Sequence, residues 1–251
     1  MKSRLLELGC TAAIAALPAT AQAASPFGPG ERIRWSVSYM KVQAGQAWAE
    51  VAPAPGGALL ITGGARNAAW YGRIYTIDDE VRSLWNPAGP GSSSYATRFR
   101  EGGFHQDQRM EITPDGIRVE RSQRFDDGWR SWTDSYPGPG LAVEDPTTAF
   151  FRVRLLPLVS GESYRFPVFS GRETWELRVE VQPRAMLETA LGELSVIPVR
   201  VFTHHQGDLE QKGRITLYLS DDSRRIPVRA IMHTNVGPIR ADIISYQPPG
   251  E

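Results

Sequence analysis

Residues 174–181, Thr174-Trp175-Glu176-Leu177-Arg178-Val179-Glu180-Val181, alternate polar and apolar side chains without a break. A period of two is what a strand with one buried face requires, because successive side chains point to opposite sides of the pleat. The same alternation recurs at the other end of the chain, where Ile33, Trp35, Val37 and Tyr39 interleave with Arg32, Arg34, Ser36 and Ser38. Ile215, Leu217 and Leu219 repeat it, as do Ile239, Ala241 and Ile243. Weaker strand signals lie at 74–77, 95–99, 110–112, 117–121, 129–136 and 197–203, with Gly/Pro clusters at 53–57, 87–91, 114–116 and 137–140 between runs. Many short strands at close spacing predict a mostly β fold: a curved antiparallel sheet, or a partly open β-barrel or sandwich.

One stretch breaks the pattern. Asp145 can cap a helix whose first residue is Pro146, and Ala149, Phe150, Val153 and Leu156 then fall at helical spacing. Pro157 stops it, so one short helix is expected near 146–156, with Phe150 and Val153 packed on the sheet. No long linker or composition shift accompanies this helix, so residues 24–251 are read as a single β-rich domain.

The first 23 residues have a different character. Lys2 and Arg4 precede a small, apolar stretch from Leu8 to Leu17, Pro18 follows, and Ala21-Gln22-Ala23 supplies a small-x-small cleavage pattern. These are the marks of a secretory signal peptide at 1–23, and the apolar run is too short to span a bilayer, which needs about 20 residues. Cys10 stands at the start of the apolar run rather than after it, so it does not fit a lipoprotein acylation site. The expectation is an exported protein of the periplasm, or a secreted one, with no transmembrane span in the mature chain.

Cleavage would remove the chain's single cysteine, which excludes disulfides, thiol nucleophiles and cysteine–metal ligation from the mature protein. It would leave 26 basic and 27 acidic residues, a formal charge of −1. Such a balance gives no reason to expect nucleic acid as a partner. The four histidines form no metal-ligand spacing: His204 and His205 are adjacent, and neighbours on a strand face apart. Asp126-Asp127-Gly128 and Ser220-Asp221-Asp222-Ser223 read as turns, and Gly91-Ser92-Ser93-Ser94 as a flexible loop rather than a nucleophile elbow. No catalytic residue, metal site or cofactor follows from these motifs.

Several short motifs keep a recognisable order along the chain. Phe27-Gly28-Pro29-Gly30-Glu31 is followed by Val37-Ser38-Tyr39 and Ala44-Gly45. Asp145-Pro146 leads into Phe150-Phe151-Arg152-Val153-Arg154, then Pro157-Leu158 and Gly161-Glu162. Leu217-Tyr218-Leu219-Ser220-Asp221-Asp222 and Arg225-Ile226-Pro227-Val228 stand near the end. In these stretches the chain resembles the bacterial exported family catalogued as domain of unknown function 3108, a resemblance that carries no activity with it.

The 7 Trp, 8 Tyr and 9 Phe are the one suggestive excess. A curved sheet with an apolar inner face can enclose a lipid-sized ligand, with the helix as a lid. Trp35, Tyr39, Phe150 and Trp175 are the residues expected to bind it. The reading is therefore a non-enzymatic binder of an apolar or amphipathic envelope ligand, or an assembly factor, whose partners are a lipid and an envelope protein. The rivals are an envelope glycan hydrolase using acidic residues and a structural partner of an export or polysaccharide machine.

Overall fold

The computed structural model describes residues 25–250 apart from positions 69, 71, 73, 74, 90, 139, 141, 206, 207, 235 and 236, and gives the backbone alone at 204, 205 and 208–213. The signal peptide read at 1–23 and its cleavage site lie outside the described residues. The first half of the chain is a run of eight strands: β1 (Arg32–Tyr39), β2 (Val42–Pro53), β3 (Leu59–Asn67), β4 (Asp78–Asn86), β5 (Gly91–Glu101), β6 (Phe104–Ile112), β7 (Gly116–Phe125) and β8 (Gly128–Pro137). The helix α1 (Pro146–Leu155) follows. The second half adds β9 (Ser163–Phe169), β10 (Thr174–Val181), β11 (Ala185–Thr189), β12 (Gly192–His205), β13 (Asp208–Ser220), β14 (Pro227–Thr234) and β15 (Gly237–Gln247).

All fifteen strands join one antiparallel sheet in the order β8-β7-β6-β5-β4-β3-β2-β1-β15-β14-β13-β12-β10-β9, with β11 beside β12 in line with β10. The halves are stitched together where β1 meets β15, from Arg32 opposite Gln247 to Tyr39 opposite Ile239. The sheet is not closed into a barrel. Two residues reach across the opening instead: Val143 bridges Gly91 at the start of β5, and Glu144 bridges Val168 on the edge strand β9. One curved sheet, rather than a two-sheet sandwich, is the outcome of the alternatives read from sequence.

Two local expectations are corrected. Gly91-Ser92-Ser93-Ser94 opens β5 and is not a loop, because Ser92 donates its amide to the Val143 carbonyl and pairs with Trp85. Of the run at 74–77, the described residues 75–77 make no named strand: Ile77 forms a single bridge to Glu101. By contrast, Asp126 and Asp127 form the β7–β8 turn, and Asp222 accepts from the backbone N–H of Arg224 and Arg225 in the β13–β14 turn.

The helix starts where its cap puts it. One Asp145 carboxylate oxygen accepts from the Thr147 and Thr148 amides at 2.7 and 3.0 Å, and the Thr148 hydroxyl accepts from the Asp145 amide. This capping box satisfies orphan N–H groups of the first turn. Pro157 biases Leu156 to extended backbone, and the helix ends there. Its side chains divide between two clusters. Phe151 joins Phe27, Ile33, Trp35, Val51, Ile61, Trp85 and Ile243, whereas Val153 joins Val179, Val199, Leu217 and Leu219. Phe150 packs against both clusters from a half-buried position. Phe151 is the fully buried phenylalanine of the helix, a side chain that contributes about 1.5–3 kcal/mol. A third cluster, with Tyr95, Met110, Val119 and Phe169, packs β5–β7 on β9.

Candidate functional site

α1 leaves an apolar cavity on each flank. The smaller, about 280 Å³, lies over β1–β4, β14 and β15, with Trp35, Ile61, Val81 and Phe151 in its wall. The larger, about 470 Å³, lies over β9, β10, β12 and β13, with Ala149, Val153, Val168, Trp175, Leu177 and Leu217 in its wall. Phe150 lines both. It is half-buried, and its ring meets Trp35 edge-on at 6.3 Å. The larger volume is in the range of small-molecule pockets, about 300–1,000 Å³.

The smaller cavity exists because side chains are missing. Ala47, Ala49, Gly63, Ala230 and Ala241 occupy neighbouring inward positions of β2, β3, β14 and β15. A Leu or Val at those positions would fill the volume. The adjacent Gly64 is required for a different reason: a Cβ there would collide with the Asp79 carbonyl oxygen and stand 2.9 Å from the Trp48 ring.

No charged side chain lines either cavity. The polar groups present are already engaged or sit at an end. Trp35 donates Nε1–H to the Pro227 carbonyl at 2.7 Å, and Trp175 donates Nε1–H to the Ser170 hydroxyl at 3.2 Å. Ser170, Thr203 and Trp175 stand at the end of the larger cavity toward the β9–β10 and β12–β13 turns. The arrangement can shield an apolar chain and has one polar end.

Of the four residues expected from sequence, the structure places Trp35, Phe150 and Trp175 on the cavity walls. Tyr39 is half-buried at the end of β1 beside Gly237, outside both cavities. Trp48, Val81 and the small residues were missed. For Ala47, Ala49 and Gly63 the only signal is an alternation of alanine and glycine in place of bulky residues on β2 and β3.

The acidic residues around the helix build the frame. Asp145 is buried, and burial pushes its carboxyl above the usual range against hydrogen bonds from Ser83, the Thr148 amide and Ser92. Glu144 is likewise raised by burial, with Arg152 3.8 Å away. Outside, a groove of about 440 Å³ on β6–β8 holds Asp107 and Glu120, but Arg100 and Arg118 pair with them at 2.7 and 2.8 Å. Among the described residues no group of three or more His, Cys, Asp or Glu side chains is placed to hold a metal ion. Nor is any helix long and apolar enough to cross a membrane.

Three of the motif stretches, those of Phe27–Glu31, Phe150–Arg154 and Arg225–Val228, meet at Arg154. Its guanidinium donates to both Glu31 carboxylate oxygens at 2.7 and 2.8 Å, and to the carbonyls of Pro26, Arg224 and Arg225. The Phe27 ring covers it at 4.7 Å and the Phe151 ring at 5.4 Å. Tyr246 adds a hydrogen bond to Glu31 at 3.2 Å. These motifs lock the N-terminal segment, helix and β13–β14 turn together.

The chain belongs to the family described as "Protein of unknown function (DUF3108)", whose model matches residues 34–244. Among solved structures it is similar to a beta-barrel-like protein of domain of unknown function DUF1849 from Brucella abortus, with a TM-score of 0.60 at 11% identity. That match covers 88% of this chain and 98% of the other, and at this identity it speaks to fold alone. No curated protein matches the sequence.

Proposed function

We propose that this member of the DUF3108 family works outside the cytoplasm as a non-catalytic binding protein for an apolar or amphipathic ligand of the acyl-chain class. The observation that supports it is the pair of uncharged cavities flanking α1 and sharing the Phe150 ring. Each methylene moved from water into such a space contributes about 0.8 kcal/mol, so a short chain gives useful affinity. The one polar end of the larger cavity suits a ligand with one polar terminus. The signal-like first 23 residues support export.

Purified protein extracted with organic solvent is expected to release acyl lipid on mass spectrometry, and added palmitate is expected to quench tryptophan emission. Leu177→Trp fills the larger cavity and Ala230→Phe the smaller. The variant in the occupied cavity is expected to lower palmitate affinity on the order of tenfold or more while the circular dichroism spectrum stays that of wild type. No co-purified lipid and no quenching would refute the reading and leave a structural partner as the better account.

A further inference from the structure

The antiparallel order places the turns after β1, β3, β5, β7, β9, β12 and β14 at one end of the sheet. Among the described residues, the aromatic side chains that are more than one-third exposed are Trp70, Tyr75, Phe104, Phe125 and Trp129. All five stand at this end, in or beside the β3–β4, β5–β6 and β7–β8 turns. Met40, 62% exposed, caps the β1–β2 turn beside them. At the opposite end the exposed apolar residues are aliphatic, among them Leu60, Met186 and Leu191. A close-packed core explains none of the five, since none is buried in it.

Four of these turns, β1–β2, β3–β4, β5–β6 and β7–β8, stand side by side and form a rim. The Ala68 amide donates to the Ala44 carbonyl, joining the β1–β2 and β3–β4 hairpins, and the Gly102 amide donates to the Thr76 carbonyl, joining β3–β4 to β5–β6, each at 2.8 Å. Tyr75 lies across Gly102, whose φ of 53° and missing Cβ make room for the ring. The Arg100 guanidinium lies 5.4 Å from the Trp129 ring, and that of Arg130 lies 5.0 Å from Phe125.

We propose that this rim docks the protein on the surface of a phospholipid bilayer. Tryptophan and tyrosine suit the membrane–water interface, where rings sit at headgroup depth, while Arg100 and Arg130, paired with Asp107 and Asp127, hold the Trp129 and Phe125 rings. The rim's apolar groups sit on separate turns rather than in one groove, which a fluid bilayer accommodates better than a shaped protein partner. Its charges are mixed: Asp126 and Asp127 share the β7–β8 turn with Arg124 and Arg130. Zwitterionic headgroups complement both signs, so docking does not depend on anionic lipid. The Ser170–Trp175 end of the larger cavity lies toward the same turns. The docking surface goes beyond the cavity reading and does not rest on it.

Flotation of the purified protein with phosphatidylcholine vesicles tests the proposal. Wild type is expected to float with the vesicles and to do so in high salt. The double variant Phe125→Ser/Trp129→Ser is expected to reduce partitioning on the order of tenfold or more with an unchanged circular dichroism spectrum. Met186→Ser/Leu191→Ser, at the other end, is expected to float as wild type does, and Ala230→Phe likewise, which separates docking from ligand uptake. Wild type that stays unbound, or equal losses in the two serine pairs, would overturn the proposal. So would a wild-type dimer in ultracentrifugation that the rim variant dissociates, since a second copy would then cover the rim.

Discussion

Arg154 shows how much a single residue can hold and how little of that is visible in sequence. Its side chain is fully buried, and a buried guanidinium is tolerable only when charge and donors are both satisfied. Here a bidentate carboxylate and three carbonyls do so. Truncation to Met would leave the Glu31 carboxylate buried without its counter-ion. Arg154→Met is therefore expected to lower unfolding free energy by about 3–5 kcal/mol in urea denaturation. Arg154→Lys is expected to lose part of that, since one ammonium cannot span two carboxylate oxygens and three carbonyls. A loss below about 1 kcal/mol for the Met variant would mean the pair is not coupled to folding. The residue was legible as part of a motif; its task was not. Glu31 is 123 positions away and Arg225 is 71 away, and no local pattern encodes contacts at that separation.

At the scale of the element, the helix was readable because its signals are local: Asp145, Pro146 and Pro157 mark its ends within a dozen residues. Strands β1, β10, β13 and β15 were readable because bulky inward residues alternate with polar ones. β2 and β3 escaped for a physical reason, since their inward positions hold Ala47, Ala49 and Gly63, which carry no hydrophobic period. The feature that hid these strands also makes the smaller cavity. The helix cap gives a pH test. Burial raises the folded-state pKa of Asp145 above its ordinary 3.8, so folding takes up protons relative to the unfolded chain. Its contribution to stability thus falls as pH rises from about 4 toward the folded-state value, and the penalty is complete above it. Asn keeps a capping oxygen and carries no charge. The stability of Asp145→Asn relative to wild type is expected to improve as pH rises from 4 to 8, read from urea midpoints; a flat or opposite trend would contradict the assignment. Asp145→Ala removes the cap and strands the Ser83 hydroxyl, while Ser92 keeps Thr148 as a partner, and is expected to cost about 2–4 kcal/mol.

The whole molecule is expected to unfold as one unit, and the reason lies in where its ends meet. β1 opens the described part of the sheet and β15 ends it, yet they are paired along the full length of β1 at the centre of the strand order. The largest core cluster draws Ile33, Val51, Ile61 and Trp85 from the first half, Phe151 from the helix, and Val196, Ile226 and Ile243 from the second. The cluster around Val153 lies wholly within the second half, but the other two clusters each draw on both halves, and each half alone would expose an unpaired central strand, β1 or β15, as an edge open to aggregation. A boundary at α1 would require the opposite: clusters confined to each side of residue 146. Thermal unfolding is therefore expected to give one transition, with far-ultraviolet circular dichroism and tryptophan emission superimposable. Residues 24–142 and 143–251 produced separately are expected to be insoluble or unfolded, and refolding of the intact chain to be slow, on the order of milliseconds to seconds, because closing β1 on β15 joins distant residues. Two resolved transitions, or a half that folds alone with native-like dichroism, would show that the β1–β15 seam is a contact between independent domains.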